Sequence, residues 1–185
     1  MRTAYDEATT VEQLHHPDTA RAAFSRVIEH YSSQLYWHIR RLVINHDDAN
    51  DVLQNTFIKA WTNIDSFRGD AQLMTWLYKI ATNESLTLLN RNRVRMGISL
   101  DEEGNETLVA DLESDRWFNG DEVQLRLQQA IATLPEKQRV VFNMRYYDEM
   151  KYEQMSEILG TSVGALKASY HHAVKKIEAF FEQAD

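Results

Sequence analysis

Tyr152-Glu153-Gln154-Met155-Ser156-Glu157-Ile158-Leu159, followed by Gly160-Thr161-Ser162 and then by Val163 through Phe181, decides the architecture of this chain. The first eight residues read as a short amphipathic helix, Gly160-Thr161 interrupts it, and the Ser162 hydroxyl is placed to cap a second, longer helix. Helix, glycine turn and capped helix make a helix-turn-helix, which sets its second helix into the major groove of DNA. On that second helix Val163, Leu166, Tyr170, Ala173, Val174 and Ile177 form the inward stripe. Gly164, Ala165, Lys167, Ala168, Ser169, His171, His172 and Lys175 are left toward solvent or DNA.

Composition agrees with helices elsewhere. The chain has 185 residues, 43 % hydrophobic and 26 % charged, with only 6 Gly and 2 Pro, which argues against an architecture of sheets and turns. An all-α fold is expected. No apolar run reaches the roughly 18 residues of a membrane span, and Met1-Arg2-Thr3-Ala4-Tyr5-Asp6-Glu7 lacks the apolar core of a signal peptide. The expectation is therefore a cytoplasmic protein with no membrane insertion. The absence of Cys removes disulfides, thiol catalysis and thiolate zinc sites.

A net charge of -8 looks wrong for a DNA-binding chain until its distribution is counted. Residues 96–122 hold 9 acidic residues against Arg116 alone, whereas residues 21–95 carry 10 basic and 7 acidic, and residues 123–185 carry 8 of each. The acidic stretch also holds Gly97, Gly104 and Gly120 and shows no sustained helical periodicity, so it reads as a flexible acidic linker between two helical domains. Residues 1–20 read as an N-terminal tail, with His15-His16 in it.

The upstream domain begins with a stripe of Phe24, Ile28, Tyr31, Leu35 and Ile39 that ends near Arg40-Arg41. A second helix, capped by Asp48, buries Leu53, Phe57, Ala60, Trp61 and Ile64. The same helix carries another stripe, Asp51, Gln54, Asn55 and Ile58, at i, i+3, i+4 and i+7, a mixed polar and apolar face that a partner helix can use. After the loop Phe67-Arg68-Gly69-Asp70, a third helix turns Leu73, Leu77, Ile80 and Ala81 inward. Trp76, Lys79, Asn83 and Asn90 lie on another face, with Arg91, Arg93 and Arg95 at the end. Rings stack on bases, amides bond base edges and cations hold phosphates, which together are the parts of a single-strand site.

These segments resemble a known family. Asp48 through Trp61, Phe67-Arg68-Gly69, and Thr75-Trp76-Leu77-Tyr78-Lys79-Ile80-Ala81-Thr82-Asn83 resemble region 2 of the extracytoplasmic-function (ECF) sigma factors, in the sigma-70 family of bacterial RNA polymerase. Leu134 through Phe142 with the helix-turn-helix resemble their region 4. The resemblance covers residues 21–95 and 123–182, in the family's order. It implies a sigma region 2 helical bundle over 21–95, the linker over 96–122 and a sigma region 4 helix-turn-helix over 123–185.

Roles follow from the resemblance. Asp51, Gln54, Asn55 and Ile58 stand where the family docks on core RNA polymerase. Phe67, Arg68, Gly69, Asp70, Trp76, Tyr78, Lys79 and Asn83 stand where it captures a base flipped from the single-stranded minus-10 element. Ser162, Gly164, Ala165, Lys167, Ala168, Ser169, His171, His172 and Lys175 stand at the surface that reads the minus-35 duplex. Ser169 and His172 replace the arginines usual in the family, and Tyr170 replaces an aliphatic residue. An anti-sigma factor is an implied partner, and no cofactor or metal is implied.

Two other classes compete. A stand-alone helix-turn-helix regulator explains residues 123–185 equally well but leaves the Asp51 stripe and the Phe67 to Asn83 face without a task. An enzyme would draw on the 7 His and many carboxylates, yet no His-Glu-x-x-His spacing occurs, and adjacent His171 and His172 point about 100° apart on a helix. The chain is not expected to be an enzyme.

Overall fold

The computed structural model describes residues 5–97, 106–114 and 121–183. Every regular element among the described residues is helical: α1 (Glu7–Leu14), α2 (Ala20–Val43), α3 (His46–Thr62), a 3-10 turn (Ile64–Ser66), α4 (Leu73–Arg95), α5 (Glu106–Ser114), α6 (Glu122–Ala132), α7 (Glu136–Tyr146), α8 (Tyr152–Leu159) and α9 (Val163–Glu182).

Helices α2, α3 and α4 pack pairwise, and α1 lies along α2. Their shared core runs through Val27, Tyr31, Leu35, Ile39, Val52, Ala60, Leu77 and Ala81. Two stripe residues depart from expectation: Ile28 is at the margin of exposure and Trp61 is 41 % exposed. The cap of α3 departs too. Asn45, not Asp48, accepts from the backbone N–H groups of Asp47 and Asp48 at 2.9 and 3.1 Å. The reason lies one residue earlier, where Ile44 ends α2 with a φ of 66° while its side chain stays 2 % exposed. A β-branched residue with positive φ is strained by about 1–3 kcal/mol, which burial of the side chain offsets. That bend places the cap of α3 three residues before Asp48.

Residues 1–20 are not simply a tail. Glu7–Leu14 forms a helix, Leu14 is 2 % exposed, and the Tyr31 hydroxyl donates to Glu7 at 2.7 Å. Eight residues are too few for periodicity to declare itself, so tertiary contact decides this helix. The acidic stretch 96–122 also contains structure: α5 turns Leu108 and Leu112, four residues apart, into the first core. Most of the remaining acidic linker, 98–105 and 115–120, lies outside the described residues.

The second domain folds around Ala130, Ile131, Leu134, Phe142, Ala173 and Ile177. The helix-turn-helix has the expected punctuation. Gly160 takes a left-handed φ of 63° at the end of α8, and the Ser162 hydroxyl accepts from the Ala165 N–H at 3.3 Å. Leu166, Ala173 and Ile177 are buried as read, whereas Val163, Tyr170 and Val174 are half-buried.

The two domains are in contact, with α7 against α2 and α8 against α4. His38 of α2, fully buried, donates from Nδ1 to Asp148 Oδ2 at 2.7 Å, and its Nε2 lies 2.9 Å from the Thr82 hydroxyl of α4. A carboxylate only accepts, so Nδ1 carries the proton of this bond, and the Thr82 hydroxyl, which can donate or accept, completes the ring's partners. Arg41 reaches Asp148 at 3.5 Å and covers the Tyr147 ring at 4.4 Å. Burial pushes the Tyr147 phenol up to about 12. Asn143 donates to the Arg41 carbonyl, Gln154 to Gln72, and Arg93 lies 3.8 Å from Glu136.

Candidate polymerase and nucleic-acid interfaces

Three exposed faces emerge from this scaffold. On α3 the core residues Val52, Thr56, Phe57 and Ala60 turn inward, which leaves Asp51, Gln54, Asn55 and Ile58 exposed along one stripe. Ile58 is a large apolar side chain left 56 % exposed. Trp61 extends this surface one turn further while leaning on Phe24 at 5.1 Å between rings. The sequence reading put Trp61 in the core. Its spacing of three residues from Ile58 was the signal that it also belongs to the outer face. At the start of α3, desolvation and then Asp111, Asp51 and Asp47 raise the Asp48 carboxyl above its ordinary range, so this end of the face is strongly acidic.

The second face joins the loop after the 3-10 turn to α4. Arg68, Gly69, Asp70, Lys79 and Asn83 are exposed and Trp76 is half-buried. Two residues expected here face inward, a correction to the sequence reading. Phe67 is 4 % exposed and packs on Trp76 at 5.1 Å, with the rings tilted by 39°. Tyr78 is also 4 % exposed, 4.8 Å from the His38 ring, and burial pushes its phenol up. The cause is helical phase: Tyr78 follows Leu77 and sits one turn after Thr75, so it shares the core side of α4 rather than the Lys79 side. Phe67 instead carries the loop, fixing Trp76 from below. Gly69 takes a φ of 77°, which lets the chain turn between Arg68 and Asp70.

The third face is α9. Gly164, Ala165, Lys167, Ala168, His171, His172 and Lys175 are exposed, and Ser169 is half-buried. A Cβ added at Gly164 would meet nothing within 4 Å, so the backbone is open there to close approach. Ser162 is exposed but its hydroxyl is engaged as the helix cap. Lys167 lies over the Tyr152 ring at 5.7 Å, and Lys175 pairs with Glu178 at 3.0 Å. The His171 and His172 rings are 6.0 Å apart, both in solvent. Among the described residues, no group of three or more His, Asp or Glu is placed to hold a metal ion.

Comparison with known proteins gives two family matches: sigma-70 region 2 over residues 27–95 and sigma-70 region 4 over residues 124–177. The chain is 31 % identical to the ECF RNA polymerase sigma factor SigW of Bacillus subtilis, over 80 % of this chain and 83 % of that protein. It is 29 % identical to the RNA polymerase sigma-H factor of Pseudomonas aeruginosa, over 96 % and 95 %. In fold it is similar to the sigma factor RpoE of Bartonella quintana, solved with the anti-sigma factor NepR. That likeness has a TM-score of 0.68 at 21 % identity and covers 86 % of this chain and 96 % of that one.

Proposed function

The chain belongs to the ECF sigma factors of bacterial RNA polymerase, and from that premise we propose how its three exposed faces divide the work. The α3 face of Asp51, Gln54, Asn55 and Ile58 docks on core polymerase. Arg68, Gly69, Asp70, Trp76, Lys79 and Asn83 capture the unpaired minus-10 strand, with Phe67 and Tyr78 supporting them from the core. The exposed side of α9 reads the minus-35 duplex. An anti-sigma factor holds the protein in reserve in the cytoplasm. Among the described residues no helix is long and apolar enough to cross a membrane.

No bond is made or broken by this subunit. Taking a base out of the stack costs a few kcal/mol, and stacking with edge contacts returns about 1–3 kcal/mol per base, so binding of the unpaired strand shifts the duplex toward the open form. The observation that supports this reading most is the joining of cation, amide and ring on one exposed surface, Arg68, Lys79, Asn83 and Trp76, supported by Phe67. The docking face lies on a different helix, so both surfaces can be occupied together.

The test is permanganate reactivity of promoter thymines with reconstituted holoenzyme. Asn83→Ala is expected to lower opening on duplex DNA about tenfold and to alter the preferred minus-10 base, as loss of one edge contact worth about 1.4 kcal/mol requires. Trp76→Ala is expected to slow strand capture whatever the base. A premelted template restores both. If Asn83→Ala changes neither opening nor base preference, the assignment of this face is wrong.

The minus-35 contact is expected to draw on His171 and His172, whose rings α9 presents to solvent. Holoenzyme carrying His171→Ala and His172→Ala should bind the minus-35 duplex about threefold or more weakly than the parent, the range for losing a hydrogen bond. Equal affinity in variant and parent removes the two histidines from the DNA contact.

A further inference from the structure

We propose that α1 is the template that shapes the base-capturing loop, with His15 and Glu7 as positioning residues for minus-10 recognition. The proposal rests on the reading of Phe67 to Asp70 given above.

The loop from Phe67 to Gln72 has little internal structure. Its entrance is pinned where the Phe67 N–H donates to the Ile64 carbonyl at 3.0 Å and the Phe67 ring enters the core. Beyond that, among the described residues, no backbone N–H from Arg68 to Gln72 finds a backbone partner. Such a segment takes its shape from whatever lies against it. What lies against it is α1.

Three contacts make the connection, one at each end and one in the middle. His15 Nε2 lies 2.8 Å from the Phe67 carbonyl across 52 residues of sequence, and Nδ1 of the same ring lies 2.9 Å from the Val11 carbonyl in the preceding turn of α1, so the ring sits between two acceptors and bridges α1 to the loop. The ring is thus oriented by its own helix and aimed at the loop. Val11 then stands beside Gly69, with its Cγ1 3.9 Å from where a Cβ would be. At the exit, Glu7 Oε1 accepts from the Leu73 N–H at 3.1 Å and its Oε2 accepts from Tyr31 at 2.7 Å.

The Glu7 contact has a particular physical meaning. Leu73 is the first residue of α4, and the N-cap residue Gln72 makes no side-chain cap bond. A helix start leaves free N–H groups that a side chain normally satisfies, and a carboxylate there also meets the positive end of the helix dipole. Glu7 supplies that cap from a helix 66 residues away. The helix that carries Trp76, Lys79 and Asn83 is therefore started by α1, and the loop that precedes it is held by the same element. One rigid piece sets the spacing between Arg68 and Asn83, on which capture of a single base depends.

The test uses full-length protein with core RNA polymerase, on a promoter recovered by in vitro transcription from a genomic library. His15→Ala should slow opening of the duplex promoter about threefold, and Glu7→Ala about tenfold, the range for losing one hydrogen bond and for losing a carboxylate that caps a helix start. His15→Gln retains an N–H donor and should open near the parental rate. On a template premelted across the minus-10 element all variants should come within about twofold of the parent, the discrimination among minus-10 bases should weaken, and core binding should not change. Because the His15 side chain is exposed, its truncation leaves no cavity. Parental opening by His15→Ala and Glu7→Ala, with Arg68→Ala still slow, overturns the template role and leaves the loop reading standing. Parental opening by Arg68→Ala as well overturns the loop reading itself. A collapse of thermal stability and core binding in His15→Ala also overturns the proposal, since α1 would then hold the fold rather than the loop.

Discussion

Asp148→Ala is expected to release the two domains from one another in the free protein. Asp148 is the acceptor for the fully buried His38 and for Arg41, and removing it leaves a buried imidazole N–H with nothing to bond. Loss of a buried charge-assisted partner costs about 3 kcal/mol, a shift of more than a hundredfold in the balance between closed and separated domains. The change matters because, with the α4 and α9 faces assigned as proposed, the closed form cannot span both promoter elements. The minus-10 and minus-35 elements lie about 25 base pairs apart, roughly 85 Å at about 3.4 Å per pair. A compact chain of this length has a radius of gyration of about 16 Å, so both elements are contacted only after α7 and α8 leave α2 and α4. Polymerase binding has to supply the cost of that opening, and a variant already open binds core more tightly by the same factor. The chain has no Cys, so dyes on Asp65→Cys and Lys176→Cys report the distance without further changes. The parent should give one short distance and Asp148→Ala a broad, longer distribution together with raised core affinity. If the distances coincide, the Asp148 contacts do not hold the domains together.

The same pair of residues shows where sequence reasoning stopped. His38 and Asp148 are 110 positions apart, and neither periodicity nor a motif connects them; only the packing of α7 on α2 does. Elements whose signal is local were legible. Gly160 and Ser162 mark the turn of the helix-turn-helix because a left-handed glycine and a hydroxyl cap act within three residues. The long stripes of α2 and α3 were legible because burial repeats over several turns. Short helices were not: α1 and α5 have eight and nine residues, and each is held by contacts to the first core rather than by its own pattern. Phe67 and Tyr78 failed differently. An aromatic residue in a loop or next to a core position serves equally as a stacking platform or as a support, and residue type alone does not separate the two. The candidate surfaces on α3 and α9 needed only helical phase, which is why Asp51, Gln54, Asn55 and Ile58 emerge together in solvent while Trp61, at the edge of both stripes, was assigned to the wrong one.

That α3 stripe carries the second large effect. Asp51→Ala with Ile58→Ala is expected to lower affinity for core RNA polymerase about thirtyfold or more, while circular dichroism and thermal melting stay close to the parent. The asymmetry follows from geometry. Asp51 and Ile58 are exposed on the side of α3 opposite Val52, Phe57 and Ala60, so truncating them removes no buried surface of the free protein. In the proposed complex Ile58 is the apolar centre and the acidic residues are its rim, the arrangement in which a few desolvated side chains dominate binding. The rim also fixes the sign of the partner. Asp47 and Asp51 are exposed at the same end of α3 and Asp48 is half-buried beside them, so the polymerase surface they are proposed to meet is expected to carry cations, and association should slow as ionic strength rises. Measured by competition for core polymerase at two salt concentrations, Asp51→Asn should reduce the salt dependence and Ile58→Ala should leave it intact while increasing dissociation. The separation arises because rim charges act mainly on encounter and a buried apolar anchor acts mainly on residence. If both variants bind core as the parent does, polymerase docks elsewhere on the chain and the exposed Ile58 has another partner.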